Sequence, residues 1–341
     1  MINLTFARVT LLAAVAAMTG CDQPVSQDDD ILTVYSGRKE HLVKPLFERF
    51  TADTGIEVRY ITDGEGPILA RLKAEGEQSP ADVLITVDAG NLWHAAEENL
   101  LQPIESNVLE MNVPEHLQDP NNLWFGLSQR ARVMVYNTER TSPQELTTYE
   151  ALADEQWHGR LCLRTAKKVY NQSLVATLIE AHGYEDTKKI VEGWVRNLAA
   201  DPFSNDTQAM QAVAAGACDV TLVNTYYFGR LENESPELPL AIFYPNQGEG
   251  ERGIHVNVSG AGILKYAPKP ELALQFIEWL SQDEAQYMFA ELNQEFPVNP
   301  NVPASDQVRA WGDFVADDVN LRVAGQRQAE AIRLMDEAGY Q

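Results

Sequence analysis

Strands and helices alternate along this chain in an order that few folds accommodate. Ile31-Leu32-Thr33-Val34-Tyr35 is a β-branched, apolar run that reads as a buried strand, and His41 to Thr54 then carries Leu42, Pro45-Leu46 and Phe50 at helical spacing up to Gly55. Ile56 to Ile61 alternates as a second strand, Ile68 to Glu75 reads as a helix, Ala81 to Thr86 as a third strand, and Asp88-Ala89-Gly90-Asn91-Leu92 opens a helix through Asn99. This β-α-β order predicts a parallel α/β sheet with right-handed crossovers.

A second unit of the same kind begins at Gly159-Arg160-Leu161-Cys162-Leu163-Arg164 and continues through helices over Ser173 to His182, Glu192 to Leu198 and Asp206 to Gly216, then the strand Asp219 to Val223. Glu145 to Glu155 reads as a polar helix. Gly253 to Gly262 alternates into glycines, as expected of a strand that returns between lobes through a flexible joint. Glu271 to Leu292 reads as helix with a break near Gln282, and Phe296 to Pro300 as an extended turn. At 341 residues and 45% hydrophobic content the chain suffices for two domains.

Fifty acidic residues against 26 basic give a net charge of -24, which disfavours a nucleic-acid partner, because phosphates would be repelled. The first twenty residues read as a processing segment: Arg8 is its one charge, Val9 to Met18 is apolar but too short to span a membrane, and Met18-Thr19-Gly20-Cys21 has the form of a lipobox. Cys21 would become a lipidated amino terminus, and residues 21–30 a tether. An ordinary signal peptide cut elsewhere is the simpler alternative; both export the domain. In an oxidising compartment Cys162 and Cys218 are expected to form a disulfide worth about 4 kcal/mol, two separate buried thiols being the alternative.

Three features carry candidate chemistry. The Asp219 to Val223 strand delivers Tyr226 and Tyr227, with Arg230 one turn beyond, to its carboxyl end, where ligands bind in open α/β sheets; plain packing tyrosines are the alternative. Tyr170 stands at a helix amino terminus. Arg130 and Arg132 enter an apolar strand, so at least one needs an anionic partner; an internal salt bridge is expected for one and a ligand for the other. No hydrolase spacing relates His94, His116, His158, His182 and His255, and no elbow presents a nucleophile, so an enzyme is disfavoured.

Tyr35-Ser36-Gly37-Arg38, Ala81-Asp82-Val83, Asp88 to Leu92, Arg130-Ala131-Arg132, Val169 to Ser173, Asn224 to Arg230 and His255 to Gly262 together resemble the periplasmic iron(III)-binding proteins of bacterial ABC importers, the FbpA and FutA type. The resemblance spans the mature chain. It implies a two-lobed α/β periplasmic-binding-protein fold (type II, transferrin-like) with a hinge and a central cleft. It implies Fe(III) bound by Tyr170, Tyr226 and Tyr227, and a monomer that serves a permease and its ATPase from the periplasm, anchored at the inner membrane by the lipid.

Relatives of the FutA kind carry a His-Tyr pair where this chain has Lys39 and Glu40. The resemblance therefore implies an iron shell completed by carbonate or another small anion held by Arg38, Arg130, Arg230 or Lys39, with Glu40 a further candidate for a carboxylate ligand. Lobe 1 is expected over 31–131, joined by part of 256–300, and lobe 2 over 132–255, with 301–341 packing across or onto it. An oxyanion or other small-solute receptor using Arg38, Arg130 and Arg132 is the competing function.

Overall fold

The computed structural model describes residues 30–341; the signal segment, Cys21 and the tether as far as Asp29 lie outside the described residues. Nine strands are present in residues 30–341: β1 (Ile31–Ser36), β2 (Glu57–Thr62), β3 (Val83–Val87), β4 (Phe125–Asn137), β5 (Leu161–Cys162), β6 (Val220–Asn224), β7 (Leu240–Phe243), β8 (Val256–Ile263) and β9 (Phe296–Pro297).

β1 pairs in parallel with β2 on one side and β3 on the other, and the helices Glu40–Thr54 and Glu65–Glu75 make the crossovers. The first of these helices buries Val43, Leu46, Phe47 and Phe50 and stops at Gly55, whose φ of 79° lets its amide reach the Thr51 carbonyl. The sheet is nevertheless mixed rather than parallel: β8 lies antiparallel between β3 and β4. Such a return strand needs no helical crossover. Gly260 permits the close approach, since a Cβ there would stand 2.4 Å from the Phe125 carbonyl oxygen.

The thirteen-residue β4 is the seam of a two-lobed α/β fold. From Phe125 to Ala131 it pairs with β8; from Arg132 onward its partner is β6, with β7 beside its last residues. β5 continues the second half, parallel to β6. The helix Arg322–Gln326 packs against both Ala89–Glu97 and Val169–His182, so the carboxyl-terminal segment touches helices that follow each half of the sheet.

Most sequence-expected elements stand within a few residues of their bounds, including the break at Gln282 between helices Pro270–Ser281 and Asp283–Asn293. The polar helix expected over Glu145 to Glu155 does not form. Three 3-10 turns, Pro143–Glu145, Glu150–Ala153 and Glu155–Trp157, replace it, because burying Leu146, Tyr149, Leu152 and Trp157 together requires extended backbone between the turns. Cys162 and Cys218 are bonded, with Cα atoms 5.9 Å apart, and tie β5 to the start of β6.

Candidate metal centre

A cleft of about 720 Å³ opens between the two halves of the sheet. One wall comes from the β1 loop and the β2–helix loop: Gly37, Arg38, Lys39, Glu40, Thr62, Asp63, Gly64 and Glu65. The other comes from strand ends and helix starts of the second half: Arg164, Lys168, Tyr170, Tyr226, Tyr227 and Arg230.

The three tyrosines converge. Tyr226 and Tyr227 occupy the first turn of the helix Thr225–Glu234 directly after β6, with ring centres 4.5 Å apart. Tyr170 enters from the first turn of Val169–His182, beside Tyr226, so that each phenol bears on the ionisation of the other. Asn224 Nδ2 donates to the Tyr226 oxygen at 3.2 Å. Tyr170 and Tyr226 are buried while Tyr227 is half-exposed toward the cleft. Burial, reinforced by the neighbouring Tyr227, pushes the Tyr170 phenol up to about 12, and burial together with Tyr170 and Tyr227 raises Tyr226 as well.

Cations surround this cluster. The Arg130 guanidinium lies 5.2 Å from the Tyr170 ring centre, Arg230 lies 5.0 Å from that of Tyr226, and Lys168 Nζ lies 5.0 Å from Tyr170. Arg164, which sequence reasoning missed as a site residue, covers Tyr170 at 5.4 Å and Tyr227 at 5.9 Å. Its Nε and Nη1 lack a hydrogen-bond partner although the side chain is buried. Asp206 is its nearest carboxylate, at 3.6 Å, and the same carboxylate already holds Arg132 at 2.9 Å. Two guanidiniums on one carboxylate leave this wall net positive, which suits anionic oxygen.

Arg130 and Arg132 are both paired internally, contrary to the expectation that one would be left for a ligand. Arg130 meets Asp88 at 3.2 Å, and Arg132 is held by Asp206, Asn171 and Asn224. The burial of both guanidiniums accounts for this, since an unpaired one would be costly there. Asp88, legible in sequence only as a helix opener, is a hub. Its carboxylate also accepts from Ser173 Oγ, Asn257 Nδ2 and the Gly90 amide.

On the first wall Arg38 Nη2 donates to both Glu295 oxygens, at 2.9 and 3.1 Å, and Nη1 donates to Ser128 Oγ, so its terminal nitrogens are engaged. Lys39 and Glu40 are exposed, and Glu40 accepts from the Tyr60 hydroxyl at 3.0 Å. Among the described residues there is no group of three or more His, Cys, Asp or Glu able to hold a metal. A metal in this cleft would depend on phenols. Fe(III) matches that donor set, being a hard cation that favours anionic oxygen.

A family model of the bacterial extracellular solute-binding proteins matches residues 45–316. The chain belongs to that family. This solute-binding protein is 45% identical over 325 residues to "Iron uptake protein A1" of Synechocystis sp., covering 94% of the chain and 89% of the relative. Its fold matches the Trichodesmium FutA solved in complex with iron and citrate ligands at a TM-score of 0.87 and 43% identity, over 91% of this chain and 100% of that one. The Mannheimia haemolytica ferric iron-binding protein A, solved in an open conformation, matches with a TM-score of 0.85 at 38% identity, over 91% and 98% of the two chains.

Proposed function

We propose that this protein is the ferric-iron-binding component of an ABC importer, working in the periplasm and handing Fe(III) to a permease driven by its ATPase. The observation that carries the reading is the convergence of Tyr170, Tyr226 and Tyr227 inside a positively charged wall of the cleft. Relatives named for iron uptake, matched over about nine-tenths of their own length, support it. Each phenol that binds becomes a phenolate, and three phenolates balance the charge of Fe(III).

Arg130 and Arg230, stacked on Tyr170 and Tyr226, would steady the negative shell, as outer groups tune metal ligands elsewhere. Arg38 and Lys39 edge the same cleft, where carbonate or a like anion would complete the coordination; Glu40 is the other candidate named by the sequence. The lobes divide at 131/132, with part of 256–300 returning to the first lobe and 301–341 packing across or onto the second; the change of β4 partners after Ala131 supports this division. Iron held between walls from the two lobes would favour the closed state through contacts that the open state lacks, and closure would mark the loaded protein for the permease. The protein acts as a monomer, exported and held to the inner membrane through Cys21, and performs no catalysis.

Dialysis of the ferric-loaded protein against a weak chelator, followed by metal analysis, tests the proposal. About one iron retained per chain is expected, and none retained would contradict it. In the competing reading, an oxyanion receptor, phosphate, sulfate or citrate alone would bind the metal-free protein. Its three sequence candidates, Arg38, Arg130 and Arg132, are each committed to a buried carboxylate, which favours the metal reading.

A further inference from the structure

The three tyrosines all come from one wall, which leaves open what the opposite wall contributes. Four carboxylates of that side line the cleft: Glu40, Asp63, Glu65 and Glu295. Glu295 is buried and neutralised by Arg38. Glu40 is exposed and turned to Tyr60, and Asp63 is exposed with one oxygen taken by the Gly64 amide at 2.7 Å.

Glu65 differs from all three. It is half-buried in the first turn of the helix Glu65–Glu75, and its stem is wedged under the β1 loop: a Cβ at Gly37 would stand 3.2 Å from Glu65 Cγ and 3.0 Å from Thr86 Oγ1. Gly37 is fixed in turn by the hydrogen bond its amide donates to the Ile85 carbonyl at 2.7 Å. So held, the carboxylate reaches across the cleft to the tyrosine wall. Its one polar contact among the described residues is Lys168 Nζ at 4.0 Å, too long for a hydrogen bond, and Lys168 itself lies over the Tyr170 ring. Of the four carboxylates, it is the one held at the phenol wall by nothing stronger than a long ion pair.

We propose that Glu65 is the first-lobe ligand of the bound ferric ion, exchanging its loose contact with Lys168 for a direct carboxylate–iron bond when the cleft closes. This rests on the ferric reading above. It would supply the anionic oxygen that Lys39 and Glu40 do not, and would make coordination itself the link between the lobes.

The test titrates ferric nitrilotriacetate into the wild type, Glu65→Gln and Lys168→Met and follows the phenolate-to-iron band against a competing chelator. Loss of an anionic ligand makes the iron a stronger acceptor, so Glu65→Gln should move the band to longer wavelength and weaken binding at least tenfold, with Glu65→Asp restoring part of both. Lys168→Met should leave the band position alone. An unshifted band and unchanged affinity in Glu65→Gln would overturn the assignment. Equal weakening in Glu65→Gln and Lys168→Met without a shift would overturn it too, by reducing Glu65 to an electrostatic latch. A wild type that never colours defeats the ferric reading itself, a result distinguishable from either.

Discussion

Arg164 holds its guanidinium 5.9 Å from the ring centre of Tyr227 and shares its nearest carboxylate, Asp206, with Arg132. It therefore brings uncompensated positive charge to the point where phenolates would form. Replacing Arg164 with Met is expected to lower ferric affinity about tenfold, a loss of about 1.4 kcal/mol, with the helix content intact. Chelator competition measures it; unchanged affinity would show that Arg164 serves packing alone.

Iron binding should weaken steeply in acid. Burial raises the Tyr170 and Tyr226 phenols, so both are protonated at neutral pH in the empty protein and each must release a proton to bind. Affinity should fall by roughly two to three decades per pH unit as protons compete for the phenolates. Titration of the loaded protein from pH 8 to pH 5 checks it; a flat profile would mean that the metal rests on other ligands.

The Asp88–Arg130 pair predicts a stability defect separate from binding. Asn is the uncharged isostere of Asp, so Asp88→Asn keeps the side-chain shape at this helix start while leaving Arg130 without its counter-charge. A loss of about 3–5 kcal/mol in urea unfolding is expected. A loss under about 1 kcal/mol would show that the pair is replaceable.

His255 predicts an acid limit. Burial, with Arg252, Arg130 and Arg132 nearby, holds its imidazole well below the ordinary value, so it stays neutral in the folded protein while the unfolded chain takes up a proton below about pH 6.5. A depressed histidine thus contributes stability that is complete above that pH and lost as pH falls, with a slope approaching about 1.4 kcal/mol per unit. His255→Asn, which keeps a polar partner for Thr177, should remove that slope component. An identical pH slope in the variant would contradict the assignment.

Much of the fold and part of the site are legible in the amino-acid sequence. The β-α-β order shows because strands of period two and helices of period 3.6 leave different traces, and Tyr226 and Tyr227 stand out because they follow a buried strand. The same logic applied to Leu161-Cys162-Leu163 points to Arg164, one residue after the pattern ends. Asp88 and Glu65 leave no such trace. An acid opening a helix reads as a terminal residue stabilised by the helix dipole, and only tertiary packing shows that Asp88 meets Arg130, Ser173 and Asn257, or that Glu65 is pressed across the cleft by Gly37. The pairing of both Arg130 and Arg132 is hidden for the same reason, since their partners are 42 and 74 residues away.

The central claim is that Tyr170, Tyr226 and Tyr227 hold ferric iron. The most direct measurement adds ferric nitrilotriacetate to the purified protein and records the visible spectrum, beside the variant carrying Tyr226→Phe and Tyr227→Phe. A phenolate-to-iron absorption saturating at one equivalent in the wild type and abolished in the folded variant is the predicted result. A colourless wild type, or a variant that colours and retains iron equally well, would contradict it.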